Sequence, residues 1–323
     1  MLIDPRVLLT STFLVIDDAN GQPQPSSTVF FVAWFMSGGV QAYYAVTTRH
    51  SISSPIVSIR FNLRAGGTED QAFLAEEWVI HPSTDVAVLP LEIPLSAYNI
   101  DFVRIHNFAA RDWLNVIPQP SSPDEILGML PAYGTRDEIF TVGLFEGHTG
   151  ERMTQPVARF GHIALKPKPT EKILAEIDSP DLTPINAFLV EMAVWKGQSG
   201  SPVFIRVFTE APAHKFSRFG DTYCLIGLIQ GLYPGYQDVR INDQPATLSP
   251  LQMGIGIVVP APDIREALMQ KPLEEQREKL KKDKQQNPKI RPSAASIKRE
   301  AEITKESFED ILKRVRWKAS ESE

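Results

Sequence analysis

Three short stretches of this chain carry residue types that chemistry uses. The run Trp195-Lys196-Gly197-Gln198-Ser199-Gly200-Ser201-Pro202-Val203 sets a serine among glycines. A turn built this way leaves the hydroxyl reachable and lets backbone N–H groups converge on one point. Acyl transfer needs both, a nucleophile and donors for a developing oxyanion. Taken alone, the run also fits a plain Gly/Ser turn between strands. His50 closes the stretch Tyr44-Ala-Val-Thr-Thr-Arg-His50, and Asp85 opens Asp85-Val-Ala-Val-Leu. Each alone reads as a turn residue. Together they supply a base and an orienter, in the order His, Asp, Ser. The first two lie in one β-rich half and the serine in the next, which predicts an active site between two β units.

Two other hydrolase types fit poorly. An α/β-hydrolase expects Gly-x-Ser-x-Gly and the chain order Ser, acid, His. Here Ser201 stands where the second glycine would be, and the last histidine, His214, is too close to the serine. A zinc hydrolase lacks its ligands: no His-x-x-x-His pair exists and Cys224 is the sole cysteine. Cys224 sits in an apolar run and reads as core.

The elements that must position these residues are mostly strands. β-type runs are expected at Val7 to Ile16, Ser27 to Trp34, Val40 to Thr47, Ile56 to Leu63, Phe73 to Ile80 and Val86 to Leu91. A second set follows at Ile139 to Leu144, Val157 to Leu165, Ala187 to Ala193, Val203 to Phe208, Tyr223 to Gln230 and Gly254 to Val259. The predicted fold is all-β: a first unit over 1–115, a connector rich in Pro, Ser and Asp over 116–135, and a second unit over 136–262. A closing helix over 263–270 follows, with Asp263 as its N-cap. Residues 271–303 read as a charged linker, part helix and part disordered. In 304–323, Phe308, Ile311, Leu312 and Val315 form one stripe of an amphipathic helix, with Ser307 and Asp310 as its start signal.

With 323 residues and a formal charge of −6, the chain carries no general nucleic-acid or membrane signal. The acidic excess lies before residue 271; the remainder is net basic. A single cysteine excludes an intrachain disulfide. The start, Met-Leu-Ile-Asp-Pro-Arg, is not a secretory signal, and no apolar run of membrane-spanning length occurs, so the expected location is the cytoplasm. No cofactor is expected.

The stretches around His50, Asp85 and Ser199 resemble the three signatures of trypsin-like serine peptidases. Cys224-Leu-Ile-Gly-Leu-Ile-Gln230-Gly231 and Gly254-Ile-Gly-Ile-Val-Val-Pro260 look like the two strands that follow the nucleophile in that family. The Gly-Ser-Pro ending is more like bacterial and viral members than digestive ones. The resemblance covers roughly residues 7–270 and implies two packed antiparallel β-barrels with a cleft between them. It also implies the roles. Ser199 attacks, His50 is the general base and then acid, Asp85 orients His50, and the N–H groups of Gly197 and Ser199 bind the oxyanion.

Two departures matter. Gln198 stands where many members carry an aspartate that pairs with a freed N-terminal ammonium, so activity without such a clip is expected. The specificity pocket, by resemblance, has Ala193 at its base and Gln230, Gly231 and Leu232 as a wall. Neither a countercharge nor the histidine of glutamyl-specific members is present (Ile229 takes that place), so a small or apolar preference is implied. The expected function is an endopeptidase acting on protein or peptide substrates. A catalytically weak scaffold on the same fold and a serine esterase are the alternatives. The C-terminal stripe is a candidate protein-binding helix; no nucleic-acid or membrane partner is expected.

Overall fold

The computed structural model describes residues 3–18, 20–109, 137–145, 148–150, 152–167, 172–176, 182–206, 223–236, 240–241, 244–245 and 250–286. The connector expected over 116–135 and the helix expected over 304–323 lie outside these residues. Contacts divide the chain into Met1–Gln276 and Arg277–Glu323.

The first half is an eight-stranded sheet. Its strands are β1 (Ser11–Asp17), β2 (Pro23–Met36), β3 (Val40–Thr47), β4 (Ile56–Asn62), β5 (Thr68–Leu74), β6 (Val79–Ile80), β7 (Ala87–Pro90) and β8 (Val103–Arg104). They run in the order β5-β4-β1-β2-β3-β7-β6, and β8 joins β2 in parallel. The alternation of apolar side chains puts Phe31, Phe61, Leu14, Ile59 and Leu89 inside, each under 2 % exposed. Phe31 and Phe61 stack at 5.6 Å. Burying such a side chain contributes on the order of 2–3 kcal/mol relative to exposure.

The second half closes. Its strands are β9 (Glu138–Gly143), β10 (Val157–Leu165), β11 (Ile173–Glu176), β12 (Leu182–Ile185), β13 (Phe188–Glu191), β14 (Pro202–Arg206), β15 (Tyr223–Tyr236), β16 (Arg240–Ile241), β17 (Gln244–Pro245) and β18 (Pro250–Pro260). Six of them form a closed barrel, β10-β13-β18-β15-β14-β9. Register shifts in the long β15 at Ile229/Gly231 and Leu232/Pro234 give it the local twist that closure demands. Phe140 packs between Phe204 (5.2 Å) and Tyr223 (5.0 Å) at the centre. Ala109 donates its N–H to Leu225 O, so the first half ends paired to the second.

Several boundaries differ from the sequence expectation. Val7–Thr10 is not strand: Asp4 accepts the Arg6 N–H and Pro5 opens a 3-10 turn over Pro5–Thr10. The closing helix, α1, spans Ala261–Leu268. Pro260 takes the cap position, and Asp263 is a buried residue of the first turn rather than the N-cap. The segment expected as part helix carries α2 over Lys271–Gln286. No helix among the described residues is long and apolar enough to cross a membrane.

Candidate active site

β3 ends at Thr47, and the chain turns at once through a 3-10 turn, Arg49–Ser51, that carries His50 outward. Thr48 and Ser51 join their hydroxyls at 2.6 Å to close it. Asp85 ends the adjacent turn, just before β7. His81 organises that turn: its N–H donates to Val86 O, and its Nδ1 accepts from the N–H groups of Ser83 (3.3 Å) and Thr84 (3.0 Å). Because β3 and β7 pair, the two turns meet.

They meet through two bonds. The His50 backbone N–H donates to Asp85 Oδ1 at 3.0 Å, and His50 Nδ1 lies 2.7 Å from Asp85 Oδ2. A carboxylate only accepts, so Nδ1 carries the proton and Nε2 is the basic nitrogen of the ring. The Asp85 side chain is fully buried while that of His50 is 37 % exposed. The carboxylate is thus sheltered while the imidazole keeps access to solvent.

The serine turn comes from the barrel. Gln198 N–H donates to Trp195 O, and the Gln198 Oε1 accepts the Trp195 N–H, both at 3.2 Å. Gly197 adopts φ +90°, a left-handed conformation that glycine takes without strain. Gly200 N–H and Ser201 O bond to Ile229, tying the turn to β15. Among the described residues, the N–H groups of Gly197 and Ser199 make no hydrogen bond. Both remain available as donors to a ligand oxygen. The Ser199 hydroxyl donates to Gln230 O at 3.0 Å.

Thr28 and Thr47 of the first sheet grip this turn. Thr28 N–H donates to Ser199 O (2.9 Å), and its hydroxyl donates to Gly197 O (3.0 Å) while accepting from Leu144 N–H (2.9 Å). Thr47, three residues before His50, donates its hydroxyl to Thr28 O at 2.7 Å. The approach is so close that a Cβ on Gly200 would lie 2.1 Å from Thr28 O and 2.4 Å from Thr47 Oγ1. These contacts put His50 and Ser199 on one junction between the halves.

Helix α1 and the residues just after it back the Asp85 turn. Glu266 Oε2 faces His81 Nε2 at 3.7 Å, and Gln270 donates to Ile80 O at 3.2 Å. Asp263 and Glu266 line, with Asp85 and Gln230, a cavity of about 340 Å³.

The residues expected to form the specificity pocket lie on the barrel strands and at the start of the serine turn. Ala193 is exposed and lines a cavity of about 420 Å³ with Glu138, Phe160, His162, Glu191 and Gly254. Gln230 is buried, and Gly231 and Leu232 lie half-buried on β15, paired with Ile257 and Gly256. Val194 fills the space in front of Gly256: a Cβ there would lie 2.8 Å from Val194 Cγ2. Sequence reasoning missed Thr28 altogether, since nothing local distinguishes it from any other strand threonine. Among the described residues no cluster of His, Cys, Asp and Glu could hold a metal ion.

The architecture is therefore a sheet and a closed barrel, with a serine, a histidine and a buried aspartate at their junction. No family model matches the chain, and no curated protein matches it. Solved structures do. The active form of the Rv3671c protease from M. tuberculosis matches at TM-score 0.41 and 15 % identity, covering 82 % of this chain and 86 % of that one. An inactive form of the same protease matches at TM-score 0.37 and 16 % identity, covering 82 % and 94 %. Likeness at this level assigns no activity.

Proposed function

We propose that the chain is a serine endopeptidase working through Ser199, His50 and Asp85. The two-point hold of Asp85 on His50 is the observation that carries this reading, because it fixes the tautomer that a general base requires. Ser199 Oγ forms a bond to the scissile carbonyl carbon as its proton passes to His50 Nε2. The N–H groups of Gly197 and Ser199 take the oxyanion. His50 returns the proton to the leaving amine as the C–N bond breaks, and water then releases the acyl group by the reverse steps. No metal or organic cofactor enters. The hydroxyl must first leave Gln230 O for His50 Nε2. That resting bond favours a second reading, a catalytically weak protein of the same architecture.

A fluorophosphonate probe separates them. Rapid labelling of the wild type, lost in Ser199→Ala and His50→Ala, supports a hydrolase; Ser199→Ala should lower turnover by roughly 10⁴-fold or more. Labelling without cleavage of any peptide in a mixed library points to an esterase or a very selective protease. A wild type that resists the probe overturns the proposal.

A further inference from the structure

Arg159 lies half-buried on β10, its guanidinium carbon 5.2 Å from the ring centroid of Phe145 and 5.8 Å from that of Trp195. Two ring faces hold a cation by their quadrupoles and limit the directions in which its N–H groups point. Its Nε is buried and has no hydrogen-bond partner, and among the described residues no carboxylate pairs with it. Burial pulls its affinity for the proton below the ordinary guanidinium range, yet arginine stays charged. A held cation with no carboxylate partner among the described residues is matched chemically by a carboxylate, which would make short charge-assisted bonds to the fork.

Both rings belong to the framework of the serine turn. Trp195 opens that turn and is 48 % exposed. Phe145 follows Leu144, whose N–H is bonded to Thr28, which in turn holds Gly197. Trp195 and Ser199 lie four positions apart, a reach of at most about 14 Å, which an extended peptide covers in about four residues.

Resting on the hydrolase reading above, we propose that Arg159, gripped between Phe145 and Trp195, is a substrate subsite for a carboxylate within about four residues of the scissile bond. The carboxylate comes from an Asp or Glu side chain or from the substrate's C-terminus.

The test digests a peptide library with the full chain, as wild type, Arg159→Gln, Arg159→Lys and Trp195→Leu, with melting temperature as the check on folding. Wild type should favour Asp or Glu over Ala about tenfold in kcat/KM at one fixed position near the cut. Arg159→Gln should erase that ratio, Arg159→Lys keep part of it, and Trp195→Leu reduce it. If the terminal carboxylate is the ligand instead, amidating short peptides should cost the wild type the same factor and Arg159→Gln nothing. A wild type that labels with fluorophosphonate but shows neither preference, or favours Lys and Arg at that position, overturns the subsite alone. A preference that survives in a folded Arg159→Gln does so too. A wild type that neither labels nor cuts overturns the hydrolase reading and the subsite with it.

Discussion

The hydroxyl of Thr28 donates to the carbonyl of Gly197 at 3.0 Å, joining residues 169 positions apart in the chain. One is in the first sheet and the other in the turn that would bind an oxyanion. Thr28→Val removes the donor to Gly197 O and the acceptor for Leu144 N–H, both buried. Each group left unsatisfied costs about 1–3 kcal/mol. The expected result is lower stability in denaturant titration and a fall of more than about tenfold in kcat with KM little changed, the mark of lost transition-state stabilisation. Thr28→Ser should restore both.

Gly200 is where the halves come closest. Gly200→Ala would need φ near +86° and would drive its Cβ to 2.1 Å from Thr28 O. Strain and overlap together should cost at least about 2 kcal/mol and abolish probe labelling. Gly66→Ala is the control: its φ of +91° is as demanding, but nothing lies within 4 Å. It should lose only about 1 kcal/mol. Equal losses at the two sites would refute the close-approach argument.

Asp85→Asn separates shape from charge. An asparagine Oδ1 still accepts the His50 backbone N–H, but its amide donates toward Nδ1 and reverses the imidazole tautomer. Turnover should drop by about 10⁴-fold while the melting temperature moves little by comparison. Retained turnover would remove Asp85 from the mechanism.

Asp101 provides a pH test away from the site. It is half-buried, and desolvation raises its carboxyl above the usual range, against the bonds from Phe102 N–H and the charges of Arg6 and Arg104. The folded state therefore binds this proton more readily than the unfolded state. Its contribution is present below the unfolded value, about 3.9, and is lost as pH rises through the raised folded value. Asp101→Asn should melt higher than wild type at pH 7, and the difference should vanish near pH 3. A constant difference across that range would count against the shift.

Much of the fold was legible because its strands alternate. Val40–Thr47 and Val157–Leu165 appear as expected, bounded by turn chemistry. The β5 segment Thr68–Gln71 was missed because an edge strand of polar residues carries no apolar period. The N-terminal 3-10 turn was hidden because Val7, Leu8 and Leu9 are apolar, whereas the deciding groups are Asp4 and Pro5. His50 and Asp85 could be named from their places at strand ends. Thr28 and Arg159 could not, since their significance lies in partners far along the chain.

The brace from α1 has a further consequence for how the protein is made. His50, Asp85 and Ser199 have all left the ribosome before Glu266 and Gln270 reach the turn that holds Asp85. A nascent chain therefore carries all three candidate residues before it carries the support beneath one of them. The support beneath Asp85 is thus added only when α1, which follows the last barrel strand, takes its place.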